Sequence, residues 1–73
     1  MITWDSIITD LGGTGEVAKA LGQWPSTVSG WRTRAGGIPA THWANIVAMA
    51  SNLEQYHITL RVLAELAAQK HVA

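Results

Sequence analysis

Residues 16–34 read EVAKALGQWPSTVSGWRTR, two helix-forming runs on either side of one glycine. Ala18, Gly22, Val28 and Trp31 stand at the spacing Ala-x3-Gly-x5-Val-x2-Trp. Two short helices that meet at a steep angle need a tight turn, and glycine takes positive φ there without steric cost. Gly22 is placed for that turn. Ala18, four residues earlier, keeps its side chain small where the second helix must come close. Val28 and Trp31, three apart, share the inward face of the later helix. Four independent positions agree on a helix-turn-helix.

Working outward, Thr3 is expected to cap a first helix with Trp4, Ile7, Ile8 and Leu11 at helical spacing. The run Gly12–Gly15 stops it, and Thr14 is the expected cap of the second helix, whose apolar face is Val17, Ala18 and Leu21. Pro25 suits the first position of the third helix, where a missing N–H costs nothing. That helix is expected over 25–34, closed by Ala35–Gly37. Pro39 opens a fourth, with Trp43, Ile46, Val47 and Ala50 as its buried stripe. Residues 52–57 read as a loop or a frayed extension. Thr59 caps a fifth helix with Leu60, Leu63, Leu66 and Ala67 along one side. No segment alternates as a strand does. The expected fold is all-α, a compact bundle of about five helices in one domain over 1–73, with 59–71 its C-terminal helix.

Composition narrows the function. At 73 residues and 48% apolar the chain suits a single small domain, and a second copy is the natural outside support for one this size. It has no cysteine, which removes disulfides, thiolate chemistry and Cys-based zinc sites together. The N-terminal MITWDSIITDLGG lacks the basic-then-apolar order of a signal peptide. No apolar run approaches the ~18 residues of a membrane span, so a soluble cytoplasmic protein is expected. Five basic and five acidic side chains give zero net charge. They are not evenly spread: between Val17 and Leu53 the charged residues are Lys19, Arg32 and Arg34, all positive. The middle of the chain is modestly basic, the sign that phosphate contact needs.

A family resemblance rests on the same region. Leu11, Gly12, Gly13, Val17, Ala18, Leu21, Gly22, Val28, Ser29, Trp31, Arg34, Gly37, Ile38 and Pro39 follow the pattern Leu-Gly-Gly, Val-Ala, Leu-Gly, Val-Ser-x-Trp-x-x-Arg, Gly-Ile-Pro. This resembles the Cro-like and YdaS-like branch of the lambda-repressor-like DNA-binding domains, over about half the chain, from Leu11 to Val47. The resemblance implies a phage-type or mobile-element transcriptional regulator that binds operator DNA, usually as a dimer. The chain departs from the family where an apolar residue and a Ser or Thr cap commonly precede the recognition helix. Gln23 and Trp24 stand there, and Pro25 replaces a frequent base-reading glutamine.

With Val28 and Trp31 inward, a 100° step puts Ser26, Ser29, Gly30 and Thr33 on the opposite face of the third helix. Hydroxyls bond to several bases and a threonine methyl can contact thymine. The expected DNA contacts are therefore Ser26, Thr27, Ser29, Gly30 and Thr33, with Gln23 reaching from the turn. Arg32, Arg34 and Lys19 are the expected phosphate ligands. Trp4, Trp31 and Trp43 read as core. Trp24 either plugs the helix pair or stands exposed at the DNA edge, and the cost of an exposed indole favours packing.

Enzyme chemistry finds no footing. His42, His57 and His71 lie on separate segments with no carboxylate at ligand spacing, so neither a metal nor a cofactor is expected. The glycines at 12, 13 and 15 do not follow a strand, which excludes a dinucleotide loop. No small-molecule effector is evident. The expected partner is double-stranded operator DNA, bound by a homodimer joined through Leu60, Val62, Leu63, Leu66 and Ala67; the same stripe also reads as a fifth helix closing the monomer core, and both roles can share these residues. The competing class is a protein-interaction module, such as an antitoxin or anti-activator, on a helix-turn-helix scaffold.

Overall fold

Thr3 starts the first helix by a reciprocal cap. Its Oγ1 accepts from the Ser6 N–H at 3.0 Å, while Ser6 Oγ accepts from the Thr3 N–H at 2.9 Å. Two donors that a helix start would leave unpaired are thereby satisfied. The computed structural model describes residues 2–33 and 37–69. In it α1 spans Trp4–Asp10, α2 Thr14–Leu21, α3 Pro25–Thr33, α4 Trp43–Asn52 and α5 Leu60–Gln69, with a 3-10 turn over Ala40–His42 leading into α4. No strand occurs among the described residues. The expected all-α bundle is the one observed.

Three helices end by the same device. At the end of α1 the Gly13 N–H bonds to the Ile8 carbonyl at 2.9 Å. After α2 the Gln23 N–H bonds to Ala18 at 2.9 Å, and after α4 the Gln55 N–H bonds to Ala50 at 2.7 Å. In each, the residue before the donor has positive φ: Gly12 at 109°, Gly22 at 65° and Glu54 at 59°. This closure satisfies carbonyls that the last turn leaves open. Glycine is the usual occupant, and the first two ends have it. Glu54 takes the left-handed region against the preference of an L residue, which is why residues 52–57 carry no legible stop signal. The segment is a turn that continues to Thr59, whose Oγ1 accepts from the Val62 N–H at 3.2 Å and caps α5.

The second cap differs from expectation. Gly13 occupies the cap position of α2 with no side-chain bond, and Thr14 is the first helical residue. Its hydroxyl is engaged elsewhere, by Arg32.

α2 packs on α3, α1 packs against both, and α4 packs on α5. The core they enclose is Trp4, Ile7, Ile8, Leu11, Val17, Ala18, Val28, Trp31, Ile38, Ile46, Ala50, Ile58, Leu63 and Leu66. Each large aliphatic side chain removed from water contributes about 1.5–3 kcal/mol. Every helical stripe expected from periodicity is in this set or packed against it, with one exception. Leu60 is 54% exposed, whereas Leu63 and Leu66 are closed into the monomer core and Val62 and Ala67 are half-buried against it. Leu63 and Leu66 therefore take the core role, one of the two readings open to the α5 stripe. Leu60 is the first residue of α5.

The segment between α3 and α4 is held by two tryptophans. Trp43 Nε1 donates to the Ile38 carbonyl at 2.8 Å. Gly37 has φ of 61°, and its backbone lies so close to Trp4 that a Cβ would fall on the indole. At Gly22 nothing stands within 4 Å of an added Cβ. Gly22→Ala is thus expected to cost only the left-handed backbone, about 1–2 kcal/mol. Gly37→Ala adds overpacking and should cost about 2–5 kcal/mol. Urea titration of the two variants measures the order, and equal losses would contradict the contact with Trp4.

Candidate functional site

The turn between α2 and α3 is fixed at both ends. The left-handed Gly22 and the Gln23–Ala18 bond close α2, and the Trp24 carbonyl then accepts from the N–H groups of Thr27 at 3.0 Å and Val28 at 3.2 Å. Pro25 holds the first helical residue at a helical φ. Val28 and Trp31 face the core, as expected from their spacing. The opposite side of α3 carries Ser26, Ser29 and Thr33, all exposed, with Gly30 and Thr27 half-buried at its edge. Ser26, Thr27, Gly30 and Trp31 line a shallow hollow of about 340 Å³. The Thr33 hydroxyl makes only a long 3.5 Å contact to the Gly30 carbonyl, and Ser26 and Ser29 make no side-chain hydrogen bond with the described residues. A row of unengaged hydroxyls therefore lies along one accessible helix face. Gln23 is half-buried beside the turn.

Trp24 does not pack. It is 78% exposed, the most exposed large apolar side chain among the described residues. Its backbone serves as the cap of α3, the carbonyl accepting from the Thr27 and Val28 N–H groups.

Arg32 overturns an expectation about charge. Its Nε donates to Asp5 Oδ1 at 2.6 Å, Nη1 to Thr14 Oγ1 at 3.0 Å and Nη2 to Thr9 Oγ1 at 2.6 Å. The guanidinium ties the last turn of α3 to α1 and to the first residue of α2. Its charge is balanced by Asp5, and its fork is spread over three acceptors on the packed side of α3. It is a tertiary clamp rather than a phosphate ligand. A signal for this exists in the sequence. At about 100° per residue Arg32 stands only about 40° from Val28, nearer the buried stripe than the hydroxyl face. Asp5 and Thr9, four apart, present their oxygens from one side of α1.

The other cations are separated from the hydroxyl face or not described. Lys19 is exposed on α2 and lines a different hollow, of about 710 Å³, whose walls come from α1, α2, the end of α4 and the following turn. No α3 residue borders it. Arg34 lies outside the described residues. His42 is half-buried with its ring centroid 5.4 Å from that of Trp31, a packing contact. His57 Nε2 and Asp10 Oδ2 are 2.8 Å apart, joining the turn before α5 to the end of α1. His71 lies outside the described residues. Among the described residues no three His, Asp or Glu side chains converge as a metal site would require.

Comparison with protein-family models, with curated proteins and with solved structures finds no match to this chain. The likeness to helix-turn-helix regulators therefore rests on the residues quoted above.

Arg32→Ala should lower unfolding free energy by about 1–3 kcal/mol, toward the lower figure because Asp5 is largely exposed. Arg32→Lys should recover only part of this, since one ammonium cannot span three acceptors on two helices. Denaturant titration checks both, and a neutral Arg32→Ala would show that the clamp contributes nothing.

Proposed function

We propose that the chain is a sequence-specific double-stranded DNA-binding regulator in which α3 enters the major groove. One observation carries the reading. A helix pair with a left-handed glycine turn presents an accessible row of hydroxyls on its second helix, those of Ser26 and Ser29 without a partner among the described residues. That is the docking arrangement of a helix-turn-helix, in which the second helix faces base edges. Ser26, Ser29 and Thr33 would bond to bases or phosphates, and Gly30 would let the helix backbone approach closely. With no further effector element evident, occlusion of a promoter is the proposed mode of action, as for a Cro-like repressor of a phage or mobile element.

Affinity from one copy would be weak, because Arg32 is withdrawn from the phosphate-binding set. Two copies make the second contact effectively intramolecular, so a two-fold dimer on half-sites about one turn apart is proposed. Of the α5 residues first considered for the join, Leu60 has its side chain exposed, and Val62 and Ala67 offer partial surface. No helix among the described residues is long and apolar enough to cross a membrane.

A second reading has its own support. The described part of the α3 face carries no uncommitted cation, and a bare indole stands beside it. Both suit a protein partner, as in an antitoxin or anti-activator. Salt separates the two. Mobility shift on sites selected from random duplex should show affinity falling with salt at a log–log slope of magnitude about 2–4 for two copies. Footprinting should show two protected half-sites. Gly30→Glu should abolish the shift in a protein that still folds, because a carboxylate would oppose the phosphates. A salt-independent shift, or a folded Gly30→Glu protein that binds unchanged, would favour the protein-partner reading; a single protected half-site would remove the dimer.

A further inference from the structure

Trp24 is the one exposed tryptophan of four: Trp4 and Trp31 are buried and Trp43 is half-buried with its Nε1–H bonded. The indole of Trp24 has no hydrogen-bond partner among the described residues and is left in water at 78% exposure. Exposure of so large an apolar group is unfavourable unless something covers it. Its position is not loose. The Trp24 carbonyl is held by two N–H groups of α3, the preceding residue by the Ala18 carbonyl, and the following residue is proline. The ring therefore projects from a backbone set before any partner arrives.

That position is at the N-terminal end of α3, two residues before Ser26, which lines a hollow with Thr27, Gly30 and Trp31. In a helix-turn-helix this end of the second helix meets the base edges. The hydroxyl face beside it lacks the side chains that discriminate bases by paired hydrogen bonds, since the arginine within α3 is committed to Asp5, Thr9 and Thr14. The major groove offers one feature that an apolar ring can read, the C5-methyl group of thymine. We propose that Trp24 is a specificity-determining contact that covers thymine methyl groups at the edge of the site, supplying apolar readout where α3 has no bidentate reader. This deepens the DNA-binding reading and rests on it.

Two random-sequence duplex pools test it, one made with thymine and one with deoxyuridine, which lacks only the methyl. The wild-type protein should bind the thymine pool's selected sites about fourfold more tightly per covered methyl, the size expected when one such group leaves water. Trp24→Ala, which should fold normally because the side chain is 78% exposed, should lose most of that preference, keeping only what the threonine methyls of α3 supply. Acrylamide quenching gives an independent readout. The readily quenched fluorescence of the free protein should disappear in Trp24→Phe, which assigns it, and should be shielded when the wild type binds thymine DNA. Binding that ignores the methyl in both proteins, or an indole that stays equally quenchable in the complex, overturns the role of Trp24 and leaves the DNA reading standing. Failure to bind either pool overturns both.

Discussion

The left-handed turn at Gly22 governs the molecule. It ends α2 after Leu21, returns the Gln23 N–H to Ala18, and delivers the chain to Pro25 in position to start a new helix. From that point Val28 and Trp31 must face α1 and α2, because they are the apolar positions of α3 one turn apart. Everything opposite them is then exposed by geometry. The exposed row is Ser26, Ser29 and Thr33, and its uncharged character follows from one tertiary choice: the arginine of α3 points the other way.

That choice matters for function as much as for stability. A guanidinium shared among Asp5, Thr9 and Thr14 holds α3 to both of its neighbours, fixing the angle at which its free face is offered. The same commitment removes a positive charge from any encounter with phosphate. In the proposed DNA-binding role, long-range attraction would be weakened and recognition would rest on short-range contacts from hydroxyls and from Trp24. A face of this kind suits binding by shape and apolar contact more than by charge.

Helices α1 to α3 were legible because each carries a periodic apolar stripe between positions that start or stop a helix: Thr3 and Pro25 at starts, the Gly12–Gly13 pair and Gly22 at ends. The stop after α4 was not, since Glu54 takes the left-handed conformation that glycine usually marks. Thr14 was read as a cap from its neighbourhood alone, and only the approach of Arg32 explains why its hydroxyl is used otherwise. Trp24 was misjudged for a similar reason. Local sequence says that an indole prefers burial, but the cap geometry of α3 leaves it no pocket to enter. Leu60 belongs to the stripe by periodicity, yet at the first residue of α5 it is left 54% exposed. In each of these the missing information was the position of a neighbour distant in sequence.

The central claim is that the outward face of α3, with Trp24 at its head, is the surface this protein uses. Amide shifts in a nitrogen-labelled sample titrated with random-sequence duplex DNA map that surface directly. The largest changes are expected across Trp24, Ser26, Thr27, Ser29 and Gly30, with the hollow beside Met49 and Leu53 little affected. Changes confined to α5 or to that hollow, with α3 unperturbed, would contradict it.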